Sequence, residues 1–177
     1  MRRISVVGTS GSGKTTFSHK LASILRFQHV ELDCVNWGAN WTALSPDVFR
    51  ARIEEIVKAD TWVIDGNYAQ VRELIWESAD TVVWLDYSLL VIMRRIIWRT
   101  FRRLALRETC CNGNRESLIR TFSRDSIILW ALHTYQRRRG EYPAKMEVLR
   151  QRGVNTFRFR SPKNAEEWLK KMLDARC

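Results

Sequence analysis

The sequence predicts an α/β fold in which a parallel β-sheet is covered by helices on both faces. Three observations lead there. Short apolar stretches alternate with amphipathic helical stretches along the whole chain, the pattern of β-strands joined by helical crossovers. The first such stretch, RISVV, runs through a glycine-rich loop straight into a helical pattern. Later stretches end at acids, Asp33, Asp65 and Asp86. Ligands of parallel sheets bind beyond the carboxyl ends of the strands, where these acids and the loop would gather.

Each element has its own reason. Residues 3–7 (RISVV) form a short buried strand, and residues 16–26 place Phe17, Leu21, Ile24 and Leu25 at helical spacing. Residues 28–32 (QHVEL) make a second strand ending at Asp33. CVNWGANWTAL, with Trp37 and Trp41 around a glycine and two asparagines, reads as a loop. Ser45-Pro46-Asp47 starts a helix, with Ser as N-cap and Pro at the first position. That helix turns Phe49, Ile53, Ile56 and Val57 inward and ends near residue 59.

Residues 61–64 (TWVI) are a third strand ending at Asp65-Gly66, followed by a short helix through Arg72 and Trp76. Residues 81–85 (TVVWL) are a fourth strand ending at Asp86. Over residues 89–107 the spacing predicts a long helix with Leu90, Met93, Ile97, Phe101 and Leu104 on its inner face. Arg95, Arg99, Arg102 and Arg103 fall on the other face. Cys111-Asn112-Gly113-Asn114 breaks that helix. A further helix is expected over 116–139, a shorter one over 144–150, a fifth strand over 154–159, and a last helix from Ser161-Pro162 to about 175. At 177 residues, with no repeat, low-complexity tract or linker, the chain reads as one domain.

GTSGSGKTT carries the first chemistry. Gly8, Gly13, Lys14 and Thr15 fit G-x-x-x-x-G-K-[ST], the phosphate-binding P-loop. Its glycines let the backbone approach a phosphate, and its amides and the following helix N-terminus point at the anion. Gly8, Gly11, Ser12, Gly13, Lys14, Thr15 and Thr16 are therefore the expected ATP-phosphate site. Lys14 would bridge phosphates and the Thr15 hydroxyl would ligate Mg²⁺. A glycine-serine turn with an incidental lysine would lack the strand before it and the helix after it.

Composition narrows the partners. The formal net charge is +11, and residues 94–139 alone hold twelve arginines, no lysine and three acids. Such a block suits polyanions, either the phosphates of a small molecule or a nucleic-acid backbone. Arginine without lysine favours bidentate phosphate contacts. Cys34, Cys110, Cys111 and Cys177 include no C-x-x-C pair, so free reduced thiols are expected and no metal site is assigned to them. No apolar run is long enough to span a membrane, and MRR leads directly into the first strand. The expectation is a cytoplasmic protein.

With these motifs in view, the chain resembles P-loop proteins of the nucleoside-monophosphate-kinase-like group. It is most similar to adenylate-kinase-related DNA topology modulation (FlaR-like) proteins. The markers are GTSGSGKTT, HVELD, WVIDGNY, ADTVVWLD, the arginine-rich helix and RSP before the last helix. The resemblance implies a five-stranded parallel sheet in order 2-3-1-4-5, an acceptor-side insertion at about 34–60 and an arginine-rich lid at about 99–120. Arg95-Ile96-Ile97-Trp98-Arg99 is similar to the R-I-V-G-R element of adenylate kinases, whose arginines surround the transferring phosphoryl group. Independently, residues i and i+4 share a helix face. Solvated helix arginines are the alternative.

Where adenylate kinases have D-G-F-P-R, this chain has Asp65-Gly66-Asn67-Tyr68-Ala69. The acceptor-phosphate arginine is absent there, and Asn67 and Arg72 become the nearest candidates. Asp65 has the form of an acid serving the Mg²⁺ water shell, and Asp86 shares that form. Asp33 could contact an acceptor hydroxyl and take its proton, or cap its own turn. Trp37 and Trp41 could stack on a flat substrate or pack in the core. His19, His29 and His133 read as structural. The expected function is an ATP- and Mg²⁺-dependent phosphotransferase of undetermined acceptor, with Lys14, Asp33, Arg95 and Arg99 as catalytic residues. The alternative is a nucleic-acid-associated P-loop NTPase affecting DNA topology.

Overall fold

In the computed structural model, which describes residues 1–106, 111–114 and 127–175, five parallel strands form one sheet. They are β1 (Arg3–Gly8), β2 (Gln28–Glu31), β3 (Trp62–Asp65), β4 (Thr81–Leu85) and β5 (Asn155–Phe159), in the order β2-β3-β1-β4-β5. The helices are α1 (Lys14–Leu25), α2 (Leu32–Asn36), α3 (Pro46–Val57), α4 (Ala69–Ser78), α5 (Leu89–Leu106), α6 (Ile127–Gln151) and α7 (Pro162–Asp174). No helix among the described residues is long and apolar enough to cross a membrane.

Side chains alternate across each strand, so the sheet builds two cores. Ile4, Val6, Val63, Val83 and Leu85 face α1, α5 and α7, together with Phe17, Leu21, Ile92, Ile96 and Leu169. Val7, Trp62, Ile64, Val82 and Trp84 face α3, α4 and the end of α6, together with Phe49, Ile53, Trp76 and Tyr142. Burial of each large apolar side chain contributes about 1.5–3 kcal/mol. Both faces of the central strands are buried, which is why those strands read as near-continuous apolar runs.

Four elements differ from the sequence expectation, three in extent and one in phase. The strand QHVEL stops at Glu31, and Asp33 lies in the first turn of α2, within what reads as a loop. Helix α6 runs unbroken through Gly140 and Pro143. Proline removes one intrahelical bond, but Tyr142, Met146 and Leu149 are buried against the sheet and hold the turn together. The expected stretch 116–126 lies outside the described residues.

Helix α5 is rotated from the expected phase. Leu90 is 80% exposed and Ile97 and Phe101 are 56% and 66% exposed, whereas Ile92, Ile96 and Thr100 are buried. The cause is the loop it packs on. A Cβ at Gly11 would lie 2.4 Å from Ile96 Cγ1, so α5 is seated directly on the glycine loop. The side chain of Leu104 lies outside the described residues, as do Arg107, Arg115, Arg120 and Arg124 and residues 107–110 and 115–120 of the expected lid.

Cysteine chemistry is also corrected. Cys34 and Cys111 are joined by a disulfide across 77 residues of sequence. The fold brings α2 against the short turn at 111–113, which no local spacing foretells. Cys110 and Cys177 lie outside the described residues.

Candidate active site

The glycine loop links β1 to α1 at the carboxyl edge of the sheet. Gly11 and Gly13 have φ of +81° and +88°, the left-handed region that side chains avoid. Gly13 is the N-cap of α1 and gives it no side-chain cap, so the first amides of the helix stay open to an anion. Ser12 Oγ is buried with no hydrogen-bond partner. A buried hydroxyl without a partner costs free energy, and an oxyanion seated in the loop would relieve it. Thr16 is exposed one turn into α1.

Lys14 is half-buried, its ammonium enclosed by protein, with Nζ 3.4 Å from the Thr9 carbonyl oxygen. That enclosure pushes its pKa below the usual lysine range. Asp65 and Asp33 oppose the shift, while Arg138 and Arg99 add to it. Four groups from separate elements thus bear on one ammonium.

Register brings the acids together. β2 and β3 pair so that Glu31 lies beside Asp65. The Thr15 hydroxyl lies 3.3 Å from Glu31 Oε1 and 3.5 Å from Asp65 Oδ1. His29 Nε2 stands 3.0 Å from the other Asp65 oxygen. Burial, then Asp65 and Asp33, raises the Glu31 pKa above the usual carboxylate value. A hydroxyl and two carboxylates are hard oxygen donors, the set that suits Mg²⁺. Asp86 is engaged elsewhere. Arg158 Nη2 donates to it at 2.6 Å, Arg139 Nε lies 3.2 Å away, and the Arg158 guanidinium covers the Trp84 ring. Of the two strand-end acids, Asp65 is the one at Thr15.

Arg95 lies over the Tyr87 ring and donates to the Ser12 carbonyl at 2.8 Å, fastening α5 to the loop. Arg99 is half-buried one turn further on. Asn67 brackets Gly8, donating to its carbonyl and accepting from its N–H at 3.3 Å, and it also accepts from the Tyr142 hydroxyl. Its amide therefore fixes the start of the loop. Asp33 is exposed and accepts from the Tyr68 hydroxyl at 2.7 Å. Trp37 and Trp41 pack edge to face on one another, with centroids 6.0 Å apart.

Arg72 and Arg138 meet around Tyr142. The Arg72 guanidinium lies over the Trp76 and Tyr142 rings, and its Nε is buried without a hydrogen-bond partner. Arg138 is 6% exposed and donates to Thr134. Burial lowers its pKa from the usual arginine range. Tyr142 opposes that shift, and Arg137 and Arg72 add to it. Among the described residues, neither Arg72 nor Arg138 has a carboxylate within ion-pair distance. A buried arginine beside a half-buried one, with no anion among the described residues, is electrostatically costly.

Whole-chain comparison of this architecture finds small P-loop enzymes. A gluconokinase from Sinorhizobium meliloti 1021 is 21% identical, with TM-score 0.55, covering 99% of this chain and 92% of its own. A shikimate kinase from Bacteroides thetaiotaomicron is 15% identical, with TM-score 0.58, covering 99% and 98%. A shikimate kinase from Acinetobacter baumannii in complex with shikimate is 18% identical, with TM-score 0.56, covering 99% and 93%. The fold is that of the P-loop kinases. No protein-family model and no curated protein matches the sequence.

Glu31, His29 and Arg138 lie at the candidate site and are missed by sequence reasoning. Glu31 is legible only through the β2–β3 register. Arg138 is one of three consecutive arginines, and nothing local distinguishes the buried one. His29, read as isolated, finds its acid on the neighbouring strand.

Proposed function

We propose that this protein is an ATP- and Mg²⁺-dependent kinase that phosphorylates a hydroxyl of a small, anionic acceptor. The observation that carries it is the set of groups beside the glycine loop: the Thr15 hydroxyl lies 3.3 Å from Glu31 and 3.5 Å from Asp65, next to the enclosed Lys14 ammonium. Magnesium, when bound, would neutralise and orient the phosphates; Thr15, Asp65 and Glu31 would hold it. The loop amides and Lys14 grip the triphosphate. Arg99 faces the moving phosphoryl group, and Arg95 keeps the loop in place through the Ser12 carbonyl.

Asp33 orients the acceptor hydroxyl and accepts its proton as that oxygen bonds to the γ-phosphorus and ADP leaves with the bridging oxygen. Arg72 and Arg138 take the acceptor's carboxylate or phosphate, which supplies the anion their pairing lacks. The edge-to-face packing of Trp37 and Trp41 favours a wall beside the acceptor over a sandwich for a flat base. The kinases of like fold support phosphoryl transfer to a small molecule. Kinship with FlaR-like proteins rests on shared motifs and adds no nucleic-acid partner to this reading.

ATP consumption should be screened against hydroxy acids, including shikimate and gluconate, against sugar phosphates and nucleoside monophosphates, and against neutral polyols. Stimulation confined to anionic hydroxy compounds is expected. Stimulation by neutral polyols alone, or by DNA alone, would contradict the reading.

A further inference from the structure

The acceptor loop is tied down from outside by residues 111–114. The tie has two independent parts. One is the Cys34–Cys111 disulfide, which starts one residue after Asp33. The other is a set of amide hydrogen bonds. Asn112 Nδ2 donates to the carbonyls of Cys34 and Trp37 at 2.9 and 2.5 Å. Asn114 Nδ2 donates to the Gly38 carbonyl at 2.9 Å, and its Oδ1 accepts from the Trp41 N–H at 2.8 Å. Asn114 is buried in doing so. Two asparagines therefore satisfy backbone groups of a loop that makes little regular structure of its own, and a covalent bond sits at one end of the contact.

We propose that Cys34 and Cys111 are a thiol–disulfide switch that fastens residues 111–114 across the acceptor loop when oxidised and releases the loop when reduced. The consequence for turnover rests on the acceptor-side reading above; the switch itself does not. Closure consumes one small-molecule disulfide, RSSR, such as glutathione disulfide. One protein thiolate attacks a sulfur of RSSR and expels RS⁻. The second thiolate then attacks the protein sulfur of the mixed disulfide and expels the other RS⁻. Two electrons pass from the protein to RSSR, and the two protons released by the protein thiols leave on two RSH. Opening is the reverse, driven by two RSH.

The effect on a kinase follows from its need to open. A loop beside the acceptor must move for substrate to enter and product to leave, and such steps often limit turnover. A covalent tie across it slows those steps. The glycine loop lies outside the tie, so ATP affinity stays the same.

The test uses the full chain equilibrated in mixtures of glutathione and glutathione disulfide. Peptide mass mapping should find a Cys34–Cys111 cross-linked peptide in the oxidised sample. Amide hydrogen exchange over residues 36–44 should rise at least roughly tenfold on reduction, the sign of a local opening made easier. Cys110→Ser and Cys177→Ser should keep both responses. Cys34→Ser and Cys111→Ser should exchange fast in either buffer. Should those variants fold poorly, Asn114→Ala supplies the second reading: it keeps the cross-link yet speeds exchange at Trp41. Acceptor-stimulated ATP turnover should rise on reduction while ATP affinity by calorimetry does not change.

Absence of the Cys34–Cys111 peptide at every redox ratio overturns the switch. So does equal exchange over residues 36–44 in both states, or loss of the response in Cys110→Ser. Exchange that responds while turnover stays constant supports the switch and overturns the acceptor-side reading instead.

Discussion

The two halves of the proposed site, one for nucleotide and one for acceptor, are built in different ways. The nucleotide side is almost one stretch of chain, residues 8–16, whose grip comes from backbone amides, one lysine and one hydroxyl. The acceptor side is gathered from afar: Asp33 on α2, Arg72 on α4, Arg138 on α6, and residues 111–114 laid over the loop between α2 and α3. A backbone grip recognises any triphosphate and tolerates little change in the chain that makes it. A side-chain grip chooses the acceptor and can be altered one residue at a time. Substitutions on the first side should therefore abolish every reaction, whereas those on the second should change which molecule reacts.

The largest break is expected at Lys14. Lys14→Ala should lower kcat by roughly 10³-fold or more, at the upper end for losing one preorganised donor, and should weaken ATP binding by calorimetry whatever the acceptor. A variant that retains both affinity and turnover would remove the nucleotide side from the account.

Next come the two strand-end acids, which test whether similar sequence means similar work. Asp65→Asn should cut kcat by roughly 10²-fold and make turnover much less responsive to magnesium. Asp86→Asn should leave kcat unchanged. It should instead cost about 2 kcal/mol in urea unfolding, less than for a fully buried pair because Arg158 and Arg139 keep contact with water. An inverted result would exchange the two roles.

The smallest effect sharpens the comparison through pH. Burial, Asp65 and Asp33 raise the Glu31 pKa above its ordinary 4.5. Between that value and the raised one, the folded chain holds a proton that the unfolded chain has released. Stability without nucleotide or metal therefore falls as pH rises through that window. Glu31→Gln should flatten the fall. Magnesium should shrink it in the wild type, since a nearby cation favours the ionised carboxyl. Urea midpoints measured upward from about pH 4.5, with and without magnesium, would show both.

The glycine loop, the five strands and the helix from Ser45 are legible in sequence because each depends on neighbours a few residues apart. What is not legible depends on register and on distant packing. Glu31 meets Asp65 only because β2 and β3 pair in that register. Cys34 meets Cys111 only because the chain returns after 77 residues. Helix α5 carries apolar residues on two faces, and its strongest-looking stripe, Leu90–Ile97–Phe101, is the exposed one. The sequence held a way to choose. If Arg95 and Arg99 turn toward the loop, Ile92 and Ile96, each three residues before one of them, must turn with them. Those are the residues that pack on Gly11 and the core.

Arg138 and Arg72 are proposed to hold an anionic group of the acceptor and not ATP, and acceptor choice depends on it. The most direct measurement pairs two readings on wild type and Arg138→Met: the Kd for ATP by calorimetry, and the kcat/KM for a matched pair of hydroxy compounds with and without a carboxylate. An ATP Kd within about twofold of wild type is expected. A fall of roughly 10²-fold in kcat/KM is expected for the carboxylate-bearing compound, consistent with losing a charge-assisted contact. The neutral partner should be poor with both proteins. An Arg138→Met variant that binds ATP weakly, yet still distinguishes the carboxylate from its neutral analogue as wild type does, would contradict it.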